Sequence, residues 1–171
     1  MGSLVTVVGN PKPQSRTRTA AVAIAERTAE AVGLTVTERT VWDLAELRAQ
    51  LFDWSSPDVR AAVDSVAAAD LLVVASPTYK ASYTGLLKSF LDWFGTTGLA
   101  GVAAVPVMVG AGAAHALAVE VHLRPVLVEI GATLPTRGLF VLEEQLDELD
   151  AVVDAWLIAA AAPLRAALAV G

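Results

Sequence analysis

Val5-Thr6-Val7-Val8-Gly9-Asn10-Pro11-Lys12-Pro13-Gln14-Ser15-Arg16-Thr17-Arg18-Thr19 decides how the rest of the chain is read. Four apolar or β-branched residues run into Gly9-Asn10-Pro11, and an Ala-rich helical pattern follows. That order is a strand, a tight turn and a helix start. The turn carries Lys12, Arg16 and Arg18, with hydroxyls at Ser15, Thr17 and Thr19. A helix N-terminus that offers cations, hydroxyls and free N–H groups suits an anion, most often a phosphate. The plainer reading is a polar surface loop with a Ser or Thr cap. The stretch lacks the second Gly before Lys-Ser/Thr of a Walker A loop, and it is not the dinucleotide pattern G-x-G-x-x-G. One Gly with several side-chain donors suits a terminal monophosphate held end-on.

Working outward, the helix from Ser15 to Ala31 closes on Gly33. Leu34 to Val41 alternates apolar and polar, as a half-buried strand does. Trp42 to Leu44 open a connection whose Phe52 and Trp54 pack locally. Ser56-Pro57-Asp58 then starts a helix that runs to about Ala68. Leu71 to Ala75 is a continuous apolar strand of the kind found in covered parallel sheets. Ser76-Pro77-Thr78-Tyr79 breaks it. A helix follows from Ser82 to Phe94, with Leu86, Leu87, Phe90, Leu91 and Phe94 on one face. Val102 to Val109 is a strand interrupted by Pro106, and a helix from about Ala114 to Glu129 carries Pro125 as a kink or stop. Ala132 to Leu142 gives a fifth strand broken near Pro135 and Gly138, and Glu143 to Ala169 the last helix. Strand and helix alternate five times. The expected fold is an α/β three-layer, flavodoxin-like sandwich over a five-stranded parallel sheet of order 2-1-3-4-5, in one domain spanning 1–171.

Composition narrows the function. The chain has 171 residues, a formal net charge of −6 and 55% hydrophobic residues. An acidic chain is not a general nucleic-acid binder, and the cations of the first loop stand out against it. Cysteine is absent and only two His are present, so neither thiol catalysis nor a His-rich metal site is expected. No run of about 18 apolar residues marks a membrane span. A strand begins almost at once, with no basic leader before it, so the chain reads as cytoplasmic.

Ligands of open α/β sheets lie outside the carboxyl ends of the strands. Two further loops emerge there. Ser76-Pro77-Thr78-Tyr79-Lys80-Ala81-Ser82 offers a stiff backbone and the flat face of Tyr79, suited to a planar heterocycle. The plainer reading is a strand-to-helix turn capped by Ser82. Gly110-Ala111-Gly112-Ala113-Ala114-His115 is a small-residue turn that lets backbone approach a flat ligand. His115 reads as a packing or capping residue at a helix start. The acidic run Glu143, Glu144, Asp147, Glu148 and Asp150 reads as a solvated helix start.

Together, V-V-G-N-P-K-P-Q-S-R-T and S-P-T-Y-K-A-S-Y-T-G-L-L-K-S-F-L-D-W resemble the NADPH-dependent FMN reductases. The likeness is strongest to the branch that supplies reduced flavin to alkanesulfonate and methanesulfonate monooxygenases. It extends through G-A-G-A-A-H-A-L-A-V-E-V-H-L-R-P-V-L, and so covers most of the chain. The resemblance implies FMN as flavin, NADPH or NADH as hydride donor, transfer from nicotinamide C4 to flavin N5, and a homodimer or homotetramer. It also implies a flavin-dependent monooxygenase as partner. Asn10, Lys12, Ser15, Arg16 and Thr17 would seat the FMN phosphate. Pro77, Thr78, Tyr79 and Lys80 would line the ring and ribityl, with Ser82 near the turn, and Gly110, Ala111 and Gly112 would border the ring. No side chain need act as a catalyst, because the flavin carries the chemistry. Asn10 replaces the family's usual Ser, and Ala111 stands where a second Gly is common. At Val119 to Leu123 the sulfonate branch has an added Tyr or His associated with a π-bulge, tetramers and flavin transfer. Val121 and His122 fall there, and whether His122 takes that role is open. The competing readings are a reductase of quinones or azo dyes that keeps its FMN, and a non-enzymatic flavodoxin-like electron carrier.

Overall fold

The computed structural model describes residues 2–169. β1 (Gly2–Val8), β2 (Val36–Asp43), β3 (Leu71–Pro77), β4 (Ala103–Gly110) and β5 (Leu139–Leu142) form one sheet of order β2-β1-β3-β4-β5. All four pairings are parallel. The fold is the expected flavodoxin-like α/β sandwich.

Alternation along the strands sends side chains to two separate cores. Val5 and Val7 of β1 and Leu72 and Val74 of β3 face α2 (Leu44–Leu47), α3 (Pro57–Ala67), α4 (Gly85–Leu91) and α5 (Arg124–Glu129). Leu4, Val8, Leu71 and Val73 face α1 (Arg16–Val32) and α6 (Leu149–Leu168). The central strands β1 and β3 are buried on both faces, which is why they read as unbroken apolar runs. The edge strand β2 is exposed or half-buried up to the buried Asp43, and its burial does not follow the alternation expected for Leu34 to Val41.

Local chemistry sets the element ends. Ser15 caps α1 by accepting from Arg18 N, and Gly33 closes it at φ 73°, where a residue with a Cβ is strained. Ser56 caps α3 with Pro57 in its first turn. The cap of α4 is Thr84 and not Ser82: its side chain accepts from Leu87 N. Ser82 instead closes a tight turn with Tyr79.

The stretch expected as one helix from Ala114 to Glu129 is three pieces. A 3-10 turn at Ala113–His115 is followed by a π-helical turn at Val119–Leu123, and only then by α5. Arg124 N donates five residues back, to Val119 O. Pro125 has no N–H to give, so it fits the first turn after this widened register. The Arg124 guanidinium then grips the carbonyls of Leu134, at 2.7 Å, and Thr136. His115 is exposed and caps nothing.

Two prolines do not break their strands. Pro77 ends β3 within the ladder, opposite Val109. Pro106 lies in mid-β4, one residue before β5 begins to pair at Val107. Thr133 makes a single bridge to Ala103 before β5 starts at Leu139. Glu143–Glu148 is a 3-10 helix preceding α6. Within Glu143–Leu168, an 18-residue window with mean hydropathy 1.6 is long and apolar enough to cross a membrane by length and composition alone, a test that a core helix also passes. In the fold this helix is docked. Val153, Leu157, Ala160 and Leu164 enter the core, Asp154 pairs with Arg27, and Arg165 donates to Ala31 O.

Gly9 is where the first loop meets α4. A Cβ built there would lie 2.6 Å from Leu87 Cβ, an atom too close to the helix axis to move aside. Gly9→Ala is therefore expected to lose about 1–3 kcal/mol in urea denaturation. Gly112→Ala is expected to be near neutral, because nothing lies within 4 Å of its Cβ position.

Candidate functional site

The loop after β1 is shaped from within. Asn10 Oδ1 accepts from Lys12 N at 2.9 Å, and Asn10 Nδ2 donates to Thr17 Oγ1 at 3.0 Å. One buried amide thus ties the turn to the first turn of α1. Gln14 takes φ 50°, and its N–H donates to Asp43 Oδ2 at 3.1 Å. Asp43, buried at the end of β2, also accepts from Ala45 N as the cap of α2, with Arg18 Nε 3.9 Å away. In α1, Arg18 N is taken by Ser15 Oγ and Thr19 N by Ser15 O. The N–H groups of Arg16 and Thr17 remain to face a ligand, at the positive end of a 17-residue helix.

The loop after β3 is anchored on the first. Thr84 Oγ1 donates to Gly9 O, and Thr84 N donates to Ser76 Oγ at 3.1 Å. Beyond Pro77, Thr78 N donates to Val109 O at 2.7 Å. Tyr79 and Ser82 exchange backbone bonds of 2.8 and 3.1 Å across Lys80 and Ala81, at φ 51° and 66°. That is the left-handed pair of a type I′ turn, and it leaves Tyr79 52% exposed above the crevice. Gly110 ends β4 beneath it. A Cβ there would meet Phe140 Cζ at 2.7 Å and Thr78 Oγ1 at 3.0 Å. Thr78 Oγ1 is buried without a hydrogen-bond partner.

These loops enclose a crevice of about 320 Å³ at the carboxyl edge of the sheet. Seven of the sequence-derived residues line it together: Asn10, Lys12, Ser15, Arg16, Thr17, Pro77 and Tyr79. Thr78 sits just behind the wall. Lys80, Ser82, Gly110, Ala111 and Gly112 are not part of the lining, although Val109 is. Gln14, Glu143 and Leu146 line it too, and the sequence reading passed over them. Glu143 accepts from Arg16 Nη2 at 2.8 Å across the crevice. A signal for it exists: Glu143 directly follows β5, and every loop that leaves a parallel strand emerges on the same edge. The arrangement is a donor-rich pocket opening toward an aromatic shelf. Among the described residues no acidic or His cluster could hold a metal ion.

Residues 3–147 match the family model described as NADPH-dependent FMN reductase. The chain is similar to an FMN reductase (NADPH) of Pseudomonas putida KT2440, 33% identical over 161 residues, 92% of this chain and 79% of that one. It is 36% identical to the NADH-dependent FMN reductase SfnF of Pseudomonas putida over 96 residues, 56% of this chain and 52% of the relative. Among solved structures, the apo NADH:FMN oxidoreductase EMOB superposes with TM-score 0.74 at 32% identity, covering 92% of this chain and 89% of that one. An archaeal flavodoxin, at 14% identity, TM-score 0.53 and coverage of 91% and 96%, shares the fold.

Because Asp43 holds both Gln14 N and the start of α2, Asp43→Ala is expected to cost about 1–3 kcal/mol in urea denaturation. Asp43→Asn, which keeps an acceptor, is expected to cost less in the same measurement.

Proposed function

The chain belongs to the NADPH-dependent FMN reductase family, and from that membership we propose that the crevice between the β1 and β3 loops seats the FMN phosphate, with the flavin toward Tyr79. The activity is reduction of FMN by a reduced pyridine nucleotide. The observation that carries the proposed seat is the convergence of Lys12, Arg16, Ser15, Thr17 and two unused N–H groups of α1 on one crevice. Such a set matches a phosphate's oxygens and charge.

FMN, when bound, supplies the two-electron chemistry. The residues of this chain bind and orient. Lys12 and Arg16 neutralise the phosphate, and Ser15 and Thr17 direct hydroxyls at it. Pro77 and the Tyr79–Ser82 turn fix the wall beside the ring. Asn10, whose amide is engaged with Thr17 and Lys12 N, shapes the seat. The named relatives use NADPH in one case and NADH in the other, and we assign this chain a reduced pyridine nucleotide as donor.

Reduced FMN is proposed to pass to a flavin-dependent monooxygenase, and the chain to act as a cytoplasmic homo-oligomer. The π-helical turn at Val119–Leu123 supports this reading, at the place where the sulfonate branch is associated with tetramers and transfer. So does the run of exposed Leu117, Val121 and Val128, at 63%, 57% and 55% exposure, along the same segment. His122 lies inside the π turn and is exposed. The cations of the first loop disfavour a simple electron carrier.

With FMN in excess, the protein is expected to oxidise NADPH or NADH in steady state, and no turnover with either would overturn the assignment. The double variant Lys12→Ala/Arg16→Ala should bind FMN about 10²-fold more weakly in a flavin-fluorescence titration, with riboflavin affinity little changed. Leu117→Asp/Val121→Asp should sediment as a smaller species than the parent protein; an unchanged sedimentation coefficient would remove this segment from the interface.

A further inference from the structure

Glu143 is a carboxylate placed inside a phosphate pocket. It opens the 3-10 helix after β5, lines the crevice with Lys12 and Arg16, and holds Arg16 Nη2 at 2.8 Å. Arg18, the next cation, lies 3.9 Å from the buried Asp43. Two of the loop's three cations are therefore already matched by carboxylates. Of these three, Lys12 alone makes no ion pair with a described residue.

Resting on the reading of this crevice as the FMN phosphate seat, we propose that Glu143 is an affinity-setting residue. It competes with the phosphate for Arg16 and lowers the positive potential of the seat, so that FMN exchanges as a substrate.

The geometry supports competition. The Arg16 and Glu143 side chains are 72% and 47% exposed, and an ion pair of that kind is weak enough for a doubly charged phosphate to displace. The displaced carboxylate cannot leave. β5 pairs with β4 through Gly110–Leu142, and Glu143 is the next residue along the chain. It therefore stays at the crevice wall, within about one screening length of the phosphate, roughly 8–10 Å at physiological salt. Like charges that close repel, and the repulsion falls on the phosphate alone. The flavin ring, which carries no phosphate, is indifferent to it.

Glu143→Gln keeps the shape and removes the charge. In equilibrium fluorescence titrations at low salt, this variant is expected to bind FMN about 3–10-fold more tightly than the parent protein. Riboflavin, which lacks the phosphate, should bind both within about two-fold, and the FMN difference should shrink toward 1 M salt. FMN affinity that is unchanged or weaker in Glu143→Gln overturns the proposal. Weaker binding would mean that Glu143 orients Arg16 for the phosphate and does not oppose it. Lys12→Ala in the same titration separates this from the parent reading. If Lys12→Ala leaves FMN affinity unchanged, the phosphate is not seated here and both readings fall. If Lys12→Ala weakens FMN binding while Glu143→Gln fails to tighten it, only the role of Glu143 falls. Matching melting curves for the variants and the parent protein confirm that the comparison is between folded proteins.

Discussion

The hydrogen bond from the Thr84 hydroxyl to the Gly9 carbonyl is the constraint on which the crevice depends. The loops after β1 and β3 are separated by more than sixty residues of chain, and parallel pairing alone fixes only their starting points. Thr84 joins them. Its oxygen accepts from Leu87 N at 3.1 Å as the cap of α4, its proton goes to Gly9, and its N–H goes to Ser76 Oγ. Every member of this group is buried, so each bond left unmade would carry a desolvation cost of about 1–3 kcal/mol. The bare Gly9 permits the approach, because Leu87 occupies the space a Cβ would need. A helix cap on one crossover thus sets the position of the loop after β1 on another.

Strain is concentrated on the same edge. Among the described residues, the non-glycine residues with positive φ are Gln14, Lys80 and Ala81, and all three lie in the two loops around the crevice. Each such residue costs on the order of 1 kcal/mol, which the surroundings must offset. For Gln14 the compensation is its bond to the buried carboxylate of Asp43. For Lys80 and Ala81 it is the reciprocal pair of bonds between Tyr79 and Ser82. The rigid part of the molecule is the doubly covered sheet, and the shaped part is what the sheet holds out at its carboxyl ends.

Most of the architecture was legible because it is written in local periodicity. The apolar runs of β1 and β3 and the Ser15 and Ser56 caps all act within a few residues of themselves. The failures are non-local. Ser82 and Thr84 are both plausible caps for α4, and the choice falls to Thr84 because only its hydroxyl reaches Gly9, 75 residues away. The segment 113–129 looks continuously helical. Its π turn is held by Arg124 against carbonyls of the 134–136 stretch, which no helical period encodes. In the site, Asn10, Lys12, Ser15, Arg16 and Thr17 were readable as one contiguous motif. Glu143 was not, since an acidic residue after a strand has no local mark that distinguishes it from a solvated one.

The charge balance makes that missed residue consequential. The whole chain carries −6, while FMN and a reduced pyridine nucleotide are both anions. Long-range steering therefore works against both ligands, and attraction must come from charges within a screening length of the seat. In the proposed seat, the N-terminus of α1 and Lys12 would supply it at short range, and Arg16 would add to it only by turning from Glu143. A prosthetic flavin would be served by a seat whose cations are all free. A flavin that must arrive oxidised and leave reduced is better served by a seat whose cations are partly spent, since binding that is too tight slows release. If the crevice seats the phosphate as proposed, the pairing of Arg16 with Glu143 is the feature that would tip such a loop toward exchange.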